Sequence, residues 1–182
     1  VIDKHEVTAG EYKECVETGP CEYNGSSTEA ARTYDNERDQ HPINMVNQNE
    51  AATFCEWRNM RLPTEAEWEK AARGVHGNIF PWGNELANCQ YAIITNHAGE
   101  GCGLSSPWEV GSKTRGVSPY GAFDMAGNVF EWVADWFDPN YYEESPTHNP
   151  QGPESGIFRV IRGGSWYNAD YRTLRASYRL QF

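Results

Sequence analysis

The first pattern in the chain is an apolar face at helical spacing that follows a helix-capping residue. Thr8 stands three residues before Glu11, so the two side chains can form a reciprocal capping box. Apolar residues then recur three or four positions apart, which is the spacing of one face of a helix, at Tyr12, Cys15 and Val16. This pattern predicts a first short helix.

The same reasoning predicts two further short helices. Asn47, with Glu50 three residues later, opens a helix whose apolar face comprises Ala51, Phe54, Cys55 and Met60. Thr64 and Glu67 form another capping box and open a third helix. Gly74 is expected to end it, because glycine adopts the left-handed conformation of a helix C-terminus without strain. The inward-facing residues of this third helix are Trp68, Ala71 and Ala72.

The rest of the chain carries weaker patterns. Residues 128–133 and 158–161 are predicted to form short strands. Residues 22–45 are polar and irregular, residues 75–123 are rich in Gly, Asn, Ser and Pro, and residues 137–156 form a polar loop. We find no internal repeat and no interdomain linker. A domain with so much loop needs disulfides, a metal ion or dense aromatic packing to hold its loops in place.

Composition and charge exclude several classes of function. Aromatic residues make up 13% of the 182 positions, so rigid core side chains are available despite a mean hydropathy of −0.75. The net charge of −11 argues against binding nucleic acid, because phosphates repel carboxylates, and it is compatible with cation binding. No apolar run approaches the roughly 20 residues that a membrane-spanning helix needs, and no signal peptide is recognisable.

Four of the five cysteines bracket loops in pairs. Cys15 and Cys21 flank a turn, so a small disulfide loop is plausible, and Cys89 and Cys102 flank a longer loop that could hold a second disulfide. Cys55 lies among apolar residues of a predicted helix and is expected to be a buried free thiol. Two disulfides would indicate an extracytoplasmic protein, whether periplasmic, displayed on the cell surface or secreted. The alternative is a cytoplasmic protein with five reduced thiols.

Several segments, taken in chain order, resemble the formylglycine-generating-enzyme-like (sulfatase-modifying factor) family. They are residues 2–8 (IDKHEVT), 61–69 (RLPTEAEWE), 81–84 (PWGN), 124–132 (DMAGNVFEW) and 162–166 (RGGSW). The resemblance implies an α+β fold, a variant of the C-type lectin fold in which short helices surround small antiparallel sheets. It also implies that residues 1–182 are one domain of this family, shortened at both ends.

The resemblance implies a calcium ion in the loop 124–131, which overlaps the first predicted strand. Related proteins hold calcium at the positions that correspond to Asp124, Gly127, Val129 and Glu131. Calcium takes six to eight oxygen ligands from carboxylates and backbone carbonyls, which this set can supply in part. The alternative is that Asp124 caps a turn and Glu131 accepts a buried hydrogen bond. A second calcium, frequent in the family near Asn88, is not expected here, because a Cys89–Cys102 disulfide can take its place.

The resemblance also bears on catalysis. The oxidases of the family use two cysteines, five residues apart and just after a Gly-Gly-Ser sequence, to bind copper through sulfur, which suits the soft Cu(I) ion. In this chain the corresponding positions are Asn168 and Thr173, and no cysteine follows Cys102. We therefore expect no copper and no formylglycine-generating chemistry.

The segment 166–181 is a candidate recognition surface. Rigid tyrosines among small polar residues are typical of ligand-binding loops. In lectin-fold relatives that retroelements diversify, the stretch after Gly-Gly-Ser-Trp carries the ligand-contacting positions. The candidate ligand-binding residues here are Tyr167, Asn168, Asp170, Tyr171 and Arg172. The alternative is that the aromatic residues fill the core, and that Arg162, Arg175 and Arg179 pair with acidic residues such as Glu131 or Asp135.

Three functions remain open from the sequence. We favour a noncatalytic extracytoplasmic binding or structural module, stabilised by calcium, within a larger surface or membrane-associated assembly. Its expected partners are a calcium ion and another protein, not a nucleic acid. The second function is a formylglycine-generating or related oxidative maturation enzyme, and the third is a retroelement-diversified receptor.

Overall fold

The computed structural model describes residues 1–25, 31–35 and 37–182. All three predicted helices are present, as α1 (Ala9–Thr18), α2 (Gln48–Trp57) and α3 (Glu65–Arg73). Each begins with a complete capping box on the predicted cap residue, which is Thr8, Asn47 or Thr64. Gly74 ends α3 with a φ of +65°, as predicted.

Three short strands form one antiparallel sheet in the order β1-β2-β3. They are β1 (Glu131–Trp136), β2 (Arg159–Arg162) and β3 (Leu180–Gln181). β1 begins three residues later than predicted, because the preceding residues turn through positive φ at Gly127 and Asn128. β2 lies within one residue of its prediction, whereas the sequence did not predict β3.

Loops connect these elements, as the sequence predicted. They contain a one-turn helix, α4 (Tyr141–Glu144). They also contain short 3-10 turns at Glu100–Gly103, Thr114–Gly116 and Tyr171–Leu174. Among the residues that the structure describes, no helix has the length and apolar character to cross a membrane.

The core that positions the candidate site lies between α3 and the sheet. Trp68, Ala71 and Ala72 face inward from α3, with exposed fractions of 0%, 6% and 0%. They pack in one cluster with Val133 of β1 and Val160 of β2. The apolar face predicted for α3 is therefore the face that holds the helix against the sheet.

A second cluster joins α1 to α2 and corrects two details of the sequence analysis. Tyr12 stacks on Phe54 with their ring centroids 5.5 Å apart. Cys55 is a free thiol but is only half-buried, and burial raises its pKa. Met60 is 37% exposed and does not join the apolar face, because α2 ends at Trp57 and the chain then turns at Asn59 with a φ of +57°.

Both predicted disulfides are present. The Cys15–Cys21 disulfide closes the end of α1, and the Cys89–Cys102 disulfide packs beside the buried Leu174. Two disulfides are compatible with an extracellular or periplasmic protein.

Two arginines from the C-terminal part of the chain form a buried ion-pair network with α3. Arg162 is 1% exposed and donates from Nη2 to Glu69 at 2.7 Å and to the carbonyl of Ala176 at 2.6 Å. Arg179 donates to both carboxylate oxygens of Glu65, at 2.7 and 2.8 Å. A buried carboxylate needs such pairing, because desolvation of an uncompensated charge is costly.

These partners differ from the ones proposed from the sequence. Glu131 accepts a hydrogen bond from the Trp68 indole at 2.9 Å, and Asp135 accepts one from the backbone N–H of Glu65 at 2.7 Å. Both carboxylates are therefore engaged by α3. The position of α3 across the sheet is not evident from local sequence. In that position, Glu65 and Glu69 of α3 pair with the two arginines.

Candidate functional site

The loop 124–131 is a tightly folded turn that leads into β1. Asp124, Gly127 and Asn128 have positive φ angles of 55°, 81° and 59°. Gly127 is required by space as well as by conformation, because a Cβ there would lie 2.5 Å from the carbonyl oxygen of Ile93. The backbone of this loop therefore has few alternative conformations.

Two neighbouring segments bind the middle of the loop through three backbone hydrogen bonds. The N–H of Gly127 donates to the carbonyl of Gly163 at 2.9 Å, and the N–H of Asn128 donates to the carbonyl of Ile93 at 2.9 Å. The carbonyl of Asn128 accepts from the N–H of Trp166 at 2.8 Å. The loop thus contacts both the Gly-Gly-Ser turn and the disulfide-closed loop.

Two residues that support the site, Glu6 and Asn128, were not predicted from the sequence. The Asn128 side chain is fully buried, and its Nδ2 donates to Oε2 of Glu6 at 2.7 Å. Its Oδ1 accepts from the backbone N–H of Trp108 at 2.9 Å. Oε1 of Glu6 accepts from the backbone N–H of Val129 at 3.1 Å. Glu6 lies within the matched segment 2–8, but no local pattern links it to a loop that follows more than a hundred residues later.

The four residues predicted as calcium ligands all belong to this turn, and each has an oxygen atom without a hydrogen-bond donor among the described residues. Oδ2 of Asp124 accepts from the N–H of Gly111 at 2.6 Å, and Oε2 of Glu131 accepts from the Trp68 indole. Oε1 of Glu131 is buried and has no hydrogen-bond partner. Among the residues that the structure describes, nothing donates to the remaining three predicted oxygens, which are Oδ1 of Asp124 and the carbonyls of Gly127 and Val129.

Three carboxyl groups at this turn, those of Glu6, Asp124 and Glu131, have raised pKa values. Burial, with a smaller contribution from Asp124, raises the pKa of Glu131 to about 7. Burial, followed by the nearby Asp124 and Glu131, raises the pKa of Glu6 well above its usual range. Burial also raises the pKa of Asp124. Glu6 and Glu131 are partly exposed as whole residues, but Oε1 of Glu131 is shielded from water. A cation would relieve this repulsion.

The oxygens available fit a hard cation rather than a soft one. Carboxylate and carbonyl oxygens suit calcium, whereas copper and zinc favour sulfur and nitrogen. In the described part of the chain, no group of three or more His, Cys, Asp or Glu side chains is arranged to hold a metal ion. An ion at this turn would therefore depend on the backbone carbonyls of Gly127 and Val129 as well as on the two carboxylates.

A cleft of about 850 Å³ runs beside the turn. Its walls are largely apolar and include Val7, Phe54, Phe123 and Trp132, with Glu131 at one side. Glu6 and Glu131 line this cleft, whereas Asp124 does not.

The two positions that match the catalytic cysteines of the family flank Gly164. A Cβ on Gly164 would lie 3.3 Å from the carbonyl oxygen of Thr173 and 3.4 Å from Oδ1 of Asn168. Oδ1 of Asn168 accepts from the N–H of Ser165 at 2.8 Å and from its hydroxyl at 3.1 Å. The Thr173 hydroxyl donates to the carbonyl of Asp170 at 2.7 Å. The side chains of Asn168 and Thr173 therefore both form hydrogen bonds within their own turn.

Four of the five candidate ligand-binding residues lie on the surface of this turn. Tyr167 and Tyr171 are 50% and 44% exposed, and Arg172 pairs with Asp170 at 2.6 Å. Tyr167 packs edge-on against the Trp166 ring, with centroids 5.5 Å apart. The fifth residue, Asn168, directs its side-chain oxygen back to Ser165 instead.

Comparison with known proteins identifies the family. The model of the sulfatase-modifying factor enzyme 1-like domain matches residues 1–182. The chain belongs to this family. Its helices, its small sheet and its Gly-Gly-Ser turn are therefore those of a sulfatase-modifying-factor domain, as the resemblance implied.

Individual relatives of this sulfatase-modifying-factor domain include an enzyme and two solved structures. A formylglycine-generating enzyme from Streptomyces coelicolor is 41% identical over 148 residues, which cover 76% of this chain and 46% of the relative. The chain thus spans about half the length of that relative. The structure of PvdO from Pseudomonas aeruginosa matches with a TM-score of 0.78 and 26% identity, over 98% of this chain and 72% of that one. Treponema denticola variable protein 1 matches with a TM-score of 0.70 and 25% identity, and the match covers 97% of this chain and 76% of that chain.

Proposed function

We propose that this domain is a noncatalytic, extracytoplasmic binding or structural module that a calcium ion stabilises. We further propose that it works within a larger surface or membrane-associated assembly. The observation that carries the proposal is the identity of Asn168 and Thr173, whose side chains carry an amide and a hydroxyl in place of two thiols. The side-chain oxygen of Asn168 and the backbone carbonyl of Thr173 are the atoms of these residues that lie nearest to Gly164. The amide and the hydroxyl are both engaged in hydrogen bonds of the turn itself.

The loss of sulfur bears directly on copper. Cu(I) is a soft ion that thiolates bind strongly and that amide and hydroxyl oxygens bind weakly. Within the described residues, Cys55 is the one free thiol, and it lies on α2 rather than in the Gly-Gly-Ser turn. Four cysteines are held in disulfides. The domain therefore lacks a pair of thiols at the place where the family oxidises its substrate.

Calcium is proposed at the turn 124–131, where Asp124, Gly127, Val129 and Glu131 would hold it. A bound calcium ion would supply positive charge and link the turn to the start of β1. Trp68 and Gly111 support the site by donating to one oxygen of Glu131 and of Asp124, which leaves the other oxygen of each available. The orphaned Oε1 of Glu131 is the strongest support for a cation here.

Competition for Cu(I) against a chromophoric chelator tests the noncatalytic assignment. In a Cys55→Ser background, the protein with native Asn168 and Thr173 should leave Cu(I) on the chelator. The further double variant Asn168→Cys, Thr173→Cys should withdraw Cu(I), because two thiols would then flank Gly164. Stoichiometric uptake of Cu(I) by the protein with the native turn would contradict the proposal. Failure of both proteins to bind Cu(I) would show that the two positions do not form the family's copper site.

A second candidate function is ligand recognition by the exposed residues of the same turn. Tyr167, Asp170, Tyr171 and Arg172 form a mixed aromatic and charged surface, and such surfaces recur in binding loops. A retroelement-diversified receptor would have a near-copy of the DNA for residues 160–182 beside a reverse transcriptase gene, with differences at adenines. A genome without this copy would exclude diversification by a retroelement.

A further inference from the structure

The N-terminal segment, residues 2–8, lies directly against the proposed calcium turn. The carbonyl of Lys4 accepts from the N–H of Phe123 at 2.9 Å. The His5 ring stacks on the Phe123 ring, with centroids 4.8 Å apart. The next residue, Glu6, reaches into the turn and accepts hydrogen bonds from Asn128 and Val129. Lys4 and His5 thus contact the residue that precedes the turn, and Glu6 contacts the turn itself.

Glu6 binds the turn at Asn128, whose backbone conformation is uncommon for a residue other than glycine. Asn128 has a φ of +59°, a conformation that costs free energy unless its surroundings impose it. One oxygen of Glu6 fixes the Asn128 side chain, and the other fixes the N–H of Val129. The second acceptor near Asn128 Nδ2, the carbonyl of Trp108, is farther away at 3.3 Å.

Only a carboxylate on a side chain of this length satisfies both donors. Glutamine would direct an NH₂ group at one of the two N–H donors, and aspartate is shorter by one methylene. The two bonds of Glu6 also leave its oxygens committed to Asn128 and Val129. Glu6 therefore acts on the neighbouring carbonyls of Gly127 and Val129 through the backbone between them.

We propose that Glu6 is a positioning residue for the calcium site, which holds the Gly127 and Val129 carbonyls in place and couples ion binding to docking of residues 2–8. This inference rests on the calcium site proposed above and adds a residue that acts without coordinating the ion. Coupling of this kind is reciprocal, so that an ion that stabilises the turn also stabilises the docked segment.

Calcium titration by calorimetry tests the positioning role. Glu6→Gln and Glu6→Asp should each weaken calcium binding by about tenfold or more, as is usual when the residue that orients a metal ligand is removed. The matched control is Glu17→Gln, which makes the same charge change at an exposed position of α1. Its calcium affinity should equal that of the wild type. Titrations are run at a temperature where circular dichroism shows every variant folded, because a merely structural role would lower the melting temperature and leave the affinity unchanged.

Amide hydrogen exchange of the wild-type protein tests the coupling without any variant. Calcium should slow exchange at the Phe123 N–H, which donates to Lys4 and belongs to no proposed ligand. Unchanged exchange at Phe123 would overturn the coupling, and wild-type affinity in both Glu6 variants would overturn the positioning role. In either case calcium binding by the wild type would leave the proposed function standing. A wild type that binds no calcium would overturn the calcium site and this inference together.

Discussion

The indole N–H of Trp68 donates a 2.9 Å hydrogen bond to Oε2 of Glu131. Because the Trp68 ring is fully buried between α3 and the sheet, this bond fixes one oxygen of the carboxylate at the start of β1. The other oxygen, Oε1, is buried without a partner. The core of the domain thus fixes the carboxylate of the last residue of the turn 124–131, where a cation is proposed.

Removal of that carboxylate should abolish the response to calcium. The melting temperature of the wild type should rise by several degrees when calcium replaces a chelator, since an ion at 100 times its dissociation constant contributes about 2.7 kcal/mol. Glu131→Gln keeps an oxygen for the Trp68 indole but loses the charge, so its melting temperature should not respond. Glu144→Gln, at an exposed position of α4, should respond like the wild type. Differential scanning calorimetry distinguishes these outcomes, and an equal rise in Glu131→Gln would rule out this carboxylate as a ligand.

Loss of the buried arginine should destabilise the fold strongly. Arg162→Met removes a buried cation that lies 2.7 Å from Glu69 and 3.6 Å from the buried Glu65, and it removes the donor to the Ala176 carbonyl. Urea unfolding should show a loss of about 3–5 kcal/mol. The control Arg172→Met removes a surface pair with Asp170, in which the side chains are 66% and 42% exposed, and should change the free energy of unfolding far less. Equal effects of the two substitutions would show that the buried network contributes little.

The Cys89–Cys102 disulfide should stabilise the turn that carries the candidate recognition residues. The loop it closes donates from Gly101 to the carbonyl of Trp166 at 2.9 Å and from Thr95 to the carbonyl of Asn168 at 3.1 Å. Replacement of both cysteines by serine should lower the free energy of unfolding by about 3 kcal/mol in the chain-entropy model.

The other disulfide provides the comparison. The Cys15–Cys21 loop spans 6 residues against 13, so its replacement should cost less. Urea unfolding of both double variants under oxidising conditions measures the two effects. A larger loss from the shorter loop would mean that strain or packing outweighs loop length.

One surface carboxylate should contribute to stability in a pH-dependent way. The hydrogen bond from Arg61 is the largest cause that lowers the pKa of Glu67 from 4.5 to about 2. Because the pKa is lower in the folded state, the stabilisation is complete above about pH 4.5 and is lost as the pH falls towards 2. The side chains of Arg61 and Glu67 are 64% and 48% exposed, so solvent screening limits the contribution to less than about 1 kcal/mol.

Glu67→Gln isolates this contribution, since glutamine preserves the capping box with Thr64. The difference in unfolding free energy between wild type and variant should be largest at pH 6 and should shrink as the pH is lowered through 4. A difference that is constant from pH 6 to pH 3 would contradict the assignment of the lowered pKa to this pair.

The parts of the fold that local sequence determines were predicted well. Thr8, Asn47 and Thr64 cap their helices through contacts three residues away, and a contact this local is visible as a pattern. β3 was missed because two residues carry no periodicity, and its strand character depends on pairing with β2. The partners of Arg162 were wrong because α3 and β2 meet only in the folded chain.

In the candidate site, too, residues that are close together in the sequence were easier to predict than residues that are far apart. Asp124, Gly127, Val129 and Glu131 lie within eight residues, so a family motif could name them. Glu6 and Asn128 contact each other although they are 122 positions apart in the sequence. No pattern in the sequence around either residue indicates that contact. Long-range contacts of this kind hold the turn in place, which explains why the motif alone was not sufficient to find the residues that support it.

The most direct test of the noncatalytic assignment is turnover on a thiol substrate. The purified domain is incubated with copper, oxygen and a cysteine-containing sulfatase peptide, and aldehyde is trapped and detected by mass spectrometry. The formylglycine-generating enzyme from Streptomyces coelicolor serves as the positive control. With Asn168 and Thr173 beside Gly164, the peptide should keep its cysteine and form no aldehyde above the level without protein. Repeated, copper-dependent conversion of the peptide to aldehyde by this domain would contradict the assignment.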